Sequence, residues 1–404
     1  MRKLQWADRL RTFRLRKKLK SRIARRALRK KRSHGGEVTF QLHLPRHRRC
    51  DVALFKESVE GVPRVPVFRS SWDDAKGRVR PCWRLQAPEN FTYDANPDGV
   101  MAFIYELRRQ VFVHGRQRTR SRRRPGLYVD LDGIRSVDLE GALILAAELD
   151  RLRQIFSFTP TLDDERWDPT VRAILYGVGL YGVIEAQRLR NVVEIADWAA
   201  AARKAGVEVV PFESDGEALG EKAMALRDRI YELCEPPTGS KRPAYDSLME
   251  AILNSIHHAY PEDIPGDGLP RVKRWWAGAL VDRQEGYLYL VVYDQGVGIP
   301  ATLPKRPWWQ ALRAIVPELS DKALLDGALQ LGRTGTGIPG RGNGMATMCR
   351  LTEKFDDAEV TFTSGRGQVT YLKGGERERA DLATRFAGTL IRWRAKIGTQ
   401  EPAR

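Results

Sequence analysis

The chain has 404 residues but only four cysteines, and these lack both a CxxC pair and a nearby histidine at zinc-ligand spacing. Scattered as Cys50, Cys82, Cys234 and Cys349, they argue against a structural metal and suggest a reducing cytoplasm. Long apolar runs are missing too. LYLVVY (288–293) and GALILAAEL (141–149) fall well short of the roughly 20 residues that cross a bilayer, so no spanning segment is expected. The N-terminus has no continuous apolar core of the signal-peptide kind, although being Arg-rich and acid-poor it superficially resembles a transit peptide. GxxxxGK[ST] does not occur, and TGSK (238–241) has the wrong order for a phosphate loop of that type.

Acidic residues are scarce at one end. Residues 1–34 hold 16 Lys/Arg against one Asp, so they carry +15 of the chain's +18 and leave the body nearly neutral. Such an arm attracts phosphate polymers or an anionic membrane surface, in a salt-sensitive way. Trp6, Leu10, Phe13 and Leu15 interleave with the cations at loosely helical spacing. That leaves two readings open: an amphipathic helix once a polyanion neutralises it, or a solvated disordered tail.

With 42% hydrophobic residues the rest can bury two or three cores. Residues 35–95 read as an irregular, strand-rich extension containing VTFQLHL, DVALF and VPVF. From about 96 to 212 the pattern alternates between strand and helix: YVDLDGI, then EGALILAAELDRLRQIF with Leu143, Ala147 and Leu152 near one face. RWDPTVRAILYGVGLYGVIEAQRL suggests a helix pair, and VEVVPF (207–212) closes the region as a strand, with a boundary near 213. A helix over about 216–235, the helix of LMEAILNSIHHAY stopped by Pro261, and a hairpin of VKRWWAGALV with GYLYLVVY follow. EVTFTSGRGQVTYL then reads as a second hairpin, before a last strand, GTLIRW.

Three polar motifs punctuate that second half. On the helix, Leu248, Ile252, Ser255 and Ala259 form one stripe that can face a sheet, while Glu250 and Asn254, four apart, share another face. Alone, the second pair would be an exposed polar couple. Asp294 ends a very apolar strand, with Gly296 and Gly298 free to turn the backbone sharply and approach a ligand closely, which makes both candidate cofactor-binding residues. Gly340-Arg341-Gly342-Asn343-Gly344 precedes MATMCRLTEK, whose helix N-terminus could receive phosphate oxygens. Each cluster is weak by itself, and the ordered set is far more specific.

In this order the motifs resemble those of the GHKL ATPases, the gyrase, MutL and histidine-kinase superfamily built on the Bergerat fold. The resemblance covers about 220–395 and implies an α/β sandwich with a mixed sheet, in which ATP lies between helices and a mobile lid. It implies Asn254 as a Mg2+ ligand, Glu250 as the catalytic carboxylate, and Asp294 as acceptor from the adenine amino group. Gly298 would let the base pack on backbone beyond Gly296; Gly340, Gly342 and Gly344 would hinge the lid; Thr389 would help fix Asp294. Arg333 and Arg341 could neutralise the triphosphate or be solvated loop charges. His257 and His258 either hydrogen-bond Glu250 or pack the helix end.

VDLDGIRSVDLEGALILAAEL resembles a STAS domain, the fold of anti-anti-sigma factors. Asp138, Leu139, Glu140 and Gly141 stand where that family has D-S-S-G, so serine phosphorylation there is excluded, and Glu140 reads as an acid at a helix start. Gly177-Val-Gly179-Leu-Tyr-Gly182 matches GxGxxG but follows a helical pattern, so it is discounted as a dinucleotide fingerprint. A sensor histidine kinase is not expected either, because no long paired-helix segment surrounds His34, His43, His47 or His114.

The expected class is α/β throughout: a basic arm (1–34), the extension (35–95), a STAS-like α/β domain (96–212), a GHKL-type domain (216–395) and a tail (396–404). Expected cofactors are ATP and Mg2+. Three functions stay open: an ATPase or anti-sigma-type protein serine kinase, a non-catalytic ATP-gated switch for a protein partner, and a nucleic-acid binder acting through the arm. A second copy of the chain is a further expected partner.

Overall fold

The computed structural model describes residues 50–73, 79–115, 126–156, 164–180, 202–203, 206–218, 220–234, 236–333 and 344–397. The basic arm, VTFQLHL, most of the second helix expected after Gly177, and the glycines at 340 and 342 lie outside these. Residues from His47 onward form one compact unit.

In chain order, helix α1 (Val52–Ser58) leads to strands β1 (Val67–Asp73), β2 (Val79–Gln86) and β3 (Asn90–Phe91). DVALF, read as strand-like, is the start of α1 instead, because the Asp51 side chain accepts from the Leu54 amide at 3.0 Å and caps a helix. Helix α2 (Pro97–Gly115), β4 (Gly126–Asp130), β5 (Ser136–Val137), α3 (Leu139–Phe156) and α4 (Pro169–Gly177) follow. β1 pairs antiparallel with β2, and β2 parallel with β4; the short β3 and β5 pair in parallel.

The second half supplies β6 (Val207–Asp215), α5 (Gly220–Leu233), α6 (Lys241–His258), β7 (Trp275–Asp282) and β8 (Tyr287–Asp294). It continues through α7 (Ile299–Thr302), α8 (Trp309–Ile315), α9 (Asp321–Arg333), α10 (Gly344–Cys349), β9 (Ala358–Leu372) and β10 (Arg377–Lys396). Five strands form one sheet in the order β6-β7-β8-β10-β9. Every pair in it is antiparallel, where a mixed sheet was expected; the parallel pairings belong to the smaller sheets.

Two expectations about the borders of this sheet are corrected. The strand at 207–212 does not close the preceding region, because β6 hydrogen-bonds along β7 from Val207–Asp282 to Asp215–Trp275. EVTFTSGRGQVTYL is not a hairpin but part of the single strand β9, paired with the long β10. Its glycines serve a close approach rather than a turn. A Cβ at Gly365 would overlap the Asp321 carboxylate, and one at Gly367 would overlap the Lys322 backbone, where α9 starts against the strand. The Asp321 carboxylate also accepts from the Arg366 amide at 2.7 Å.

Both faces of the five-stranded sheet are covered, giving three layers. On one face Leu226, Leu248, Ile252, Leu325 and Leu329 of the helices meet Trp275, Val281, Val292 and Ile391 of the strands. On the other, α2 and α3 meet Trp276, Val291, Tyr293 and Leu390, so one core runs across the border expected between 96–212 and 216–395. An antiparallel strand covered on one face alternates apolar and polar residues, whereas one covered on both is apolar throughout. This accounts for WWAGALV and LYLVVY. Helix α3 is buried on all sides from Leu139 to Leu152 rather than along one stripe, in a core that also takes in Leu85, Leu127 and Val129 of β2 and β4. No helix among the described residues is long and apolar enough to cross a membrane.

Gly367→Ala should push α9 off β9 and lower stability by about 1–3 kcal/mol, the usual cost of overpacking. Urea unfolding of the variant beside the wild-type chain measures this.

Candidate functional site

Helix α6 ends where the chain reaches Pro261, and its last turn meets the exit of β8. At that junction residues 294–298 are held by backbone contacts from several sides. The Gly296 amide donates to Asp294 Oδ1 at 2.9 Å, closing a tight turn, and the Val297 amide donates to the Ala259 carbonyl at 2.9 Å. The Gln295 amide donates to the Tyr260 hydroxyl at 3.1 Å, and the Ile299 amide to Ser364 Oγ at 2.9 Å.

The two glycines do different work. A Cβ at Gly296 would overlap the Ala259 carbonyl, so this glycine serves the contact with α6 and does not line the pocket. Gly298 has φ +89°, a conformation that disfavours side chains, and it does line the pocket.

Between α6, the end of β8, α7 to α10 and β10 lies a cavity enclosing about 990 Å³ of space, counting its open mouth. Its wall brings together Glu250, Asn254, Asp294, Gly298, Gly344 and Thr389, residues that span 140 positions of the chain. Gly340, Arg341 and Gly342 lie outside the described residues, as does the side chain of Arg333. Gly344 begins α10, where a Cβ would overlap the Glu250 carboxylate, so the last glycine of the glycine-rich segment packs directly on the expected catalytic carboxylate.

Asp294 is, with Ser255, among the most confined polar groups of the wall. Only 4% exposed, it is pushed up to about 7 from its ordinary 3.8 by burial, against the pull of the Gly296 amide, Ser255 and the Thr389 backbone. Thr389 stands opposite Asp294 in the β8–β10 register. Ser255 has one hydroxyl proton but two acceptors, Ala251 O and Asp294 Oδ2, each at 3.1 Å. A protonated Asp294 satisfies both contacts, donating to Ser255 Oγ while Ser255 donates to Ala251 O. Ser255 was counted only as a small member of the apolar stripe; its adjacency to Asn254 was the available signal.

Glu250 is half-buried, and burial raises its carboxyl above the ordinary range against the pull of His257. His258 does not reach Glu250. It lines the pocket, where the Arg306 guanidinium lies 3.0 Å from its Nε2. Burial, Arg306 and His257 push His258 down to about 4, so the ring is neutral near pH 7 and Nε2 can accept from Arg306. Arg306, Trp308, Met345 and Met348 are lining residues that the motifs did not indicate; LPKRPWW offered only a breaker-rich stretch. Among the described residues no three His, Cys, Asp or Glu side chains gather to hold a metal ion.

The motif at 138–141 lies on the other side of the sheet. Glu140 is in the first turn of α3, as expected of a helix-start acid, but it is also buried and 3.3 Å from Arg392 of β10. Burial and Asp138 push it up to about 8. Gly177 and Gly179 close a helical turn against Val209 and Phe212, with no strand before them, which agrees with discounting GxGxxG.

A raised carboxyl pKa means the fold prefers the proton. Asp294 therefore favours the folded state fully below about pH 3.8, and that contribution is lost as pH rises through about 7. The wild-type chain should lose stability relative to Asp294→Asn between pH 5 and pH 7, by at most about 1.4 kcal/mol per pH unit, and level off above. Chemical unfolding of both proteins across that range checks the sign. Compared with known protein families and with curated protein sequences, the chain matches none.

Proposed function

We propose that the pocket is an ATP- and Mg2+-binding site of the GHKL type, on a Bergerat-like arrangement of helices over an antiparallel sheet. The observation that carries this reading is the convergence of Glu250, Asn254, Asp294, Gly298, Gly344 and Thr389 on one cavity. The three motifs are far apart in sequence, and no local rule of helix or strand formation would bring them together.

The chemistry of the wall suits such a ligand. A buried carboxylate at the closed end can accept from an exocyclic amine, and the Asn254 carbonyl can supply a single protein ligand to Mg2+. Mg2+ takes few protein ligands when phosphates and water complete its octahedron, so an amide oxygen beside Glu250 fits it better than a dedicated metal cage would. Bound there, the ion would neutralise charge on the triphosphate. Glu250, raised by burial, has the proton affinity of a general base working nearer neutrality than an exposed carboxylate could. It would take a proton from the attacking water or protein hydroxyl.

This reading favours phosphoryl transfer, either a slow ATPase or a protein serine kinase of the anti-sigma type. The packing of α2 and α3 on the sheet is consistent with a STAS-like layer, held in this chain by its own nucleotide-binding half. A non-catalytic ATP-gated switch is the alternative reading; Gly340 and Gly342, expected to hinge its lid, lie outside the described residues.

Calorimetry should show Mg2+-dependent ATP binding that Asp294→Asn and Asn254→Ala abolish while the circular-dichroism spectrum stays unchanged; normal affinity in both variants would overturn the site. Incubation with γ-labelled ATP, with and without Glu250→Ala, then separates the outcomes. Released phosphate lost in the variant means ATPase, labelled protein means kinase, and binding without turnover means switch.

A further inference from the structure

Behind the pocket, the residue between the recognition carboxylate and its first glycine faces the opposite layer. The Gln295 side chain is buried, and its Nε2 donates to Glu148 Oε2 of α3 at 2.9 Å. Glu148 is an acceptor-only carboxylate, so the amide must present its NH2 group, and the orientation is chemically determined. Gln295 Oε1 is buried without a hydrogen-bond partner among the described residues, so among these the Glu148 contact orients the carboxamide.

Glu148 is itself immobilised. Arg108 of α2 grips both of its oxygens, Nε at 2.9 Å and Nη2 at 2.7 Å, and all of these atoms are buried. Arg108 Nη1 lies 3.5 Å from Asp267, which Arg151 of α3 holds through two bonds of 2.6 and 2.7 Å. Two cations and two anions thus meet in a largely buried cluster, where removing one partner leaves another charge uncompensated; Arg108 Nη1 makes no hydrogen bond among the described residues. Gln295 is the point at which this network meets the 294–298 turn.

We propose that Gln295 is a positioning residue for base recognition, and that through it the α2–α3 layer sets the geometry of Asp294. The inference rests on the ATP reading of the pocket. With the Glu148 bond intact, residue 295 is held at its amide by Tyr260 and at its side chain by Glu148, so the carboxylate of its neighbour has a fixed direction. Without it, the turn keeps its glycine contacts but loses its tether to the layer behind.

The test compares ATP with inosine triphosphate, which lacks the exocyclic amine that Asp294 would read. Calorimetry on the full chain should give a wild-type preference for ATP, which is lost in Asp294→Asn because that variant no longer binds ATP. Gln295→Met keeps the side-chain length but has no donor. It should weaken ATP about tenfold, a loss of about 1.4 kcal/mol, and leave inosine triphosphate unchanged, so that the preference collapses. Gln295→Asn, which withdraws the amide by one methylene, should give the same split and serves if the first variant does not fold. Equal weakening of both nucleotides, or an unchanged preference, would show a merely structural role and overturn the proposal while leaving the ATP site standing. A wild-type chain that binds neither nucleotide overturns the site and this inference together, and a wild-type chain that binds both equally removes Asp294 as the base reader.

Discussion

Backbone crowding around residues 294–298 is the constraint on which the site depends. Gly388, at φ +100°, lies so close that a Cβ would overlap the Asp294 carbonyl. Gly296 is pressed on Ala259, and Gly298 on Ser364. Three strands and the end of a helix therefore meet with no room for side chains between them, and the carboxylate they surround is left only 4% exposed. The charge preference of Asp294 follows from that packing rather than from any neighbouring ion, since the forces opposing burial are two backbone groups and one hydroxyl.

The second organising fact is that the sheet carrying this turn has no solvent face. One layer of helices builds the pocket wall, and the other, α2 and α3, covers the back with a core that includes Trp276 and Tyr293. Burial on both sides strands polar groups that an exposed sheet would leave in water. They are resolved in pairs and networks: Arg108 with Glu148, Arg151 with Asp267, and Arg392 with Asp94, Glu140 and Glu359. Burial raises Glu140, yet Arg151 and Arg108 hold Asp267 down to about 2 in spite of it. The difference lies in the neighbours: Asp267 faces two guanidiniums, one of them bidentate, whereas Glu140 has a single longer contact to Arg392 and the added repulsion of Asp138 and Asp94. The layer behind the sheet is thus electrostatically stitched to it as well as packed on it.

Much of the candidate site was legible before any coordinates. Glu250 and Asn254 share a helix face by simple periodicity, Asp294 ends a strand whose apolar run is unbroken, and the α6 stripe of Leu248 and Ile252 faces the core as its spacing requires. Less legible was what each glycine does. Gly296 looked like a ligand contact but serves helix packing, while Gly365 and Gly367 looked like a turn but admit the start of α9. A glycine in a sequence records that a side chain would not fit without naming the neighbour that excludes it.

By itself the sequence determined the local elements and their polar punctuation, because helix and strand periods, caps and breakers act over a few residues. Tertiary structure alone decided which elements share a sheet and what stands behind each motif. β6 joins β7 across about 60 intervening residues, and Gln295 finds Glu148 147 positions away. Pairing edges, covering faces and neutralising buried charges are long-range conditions that become defined only when the whole unit closes, and no short window of residues carries them.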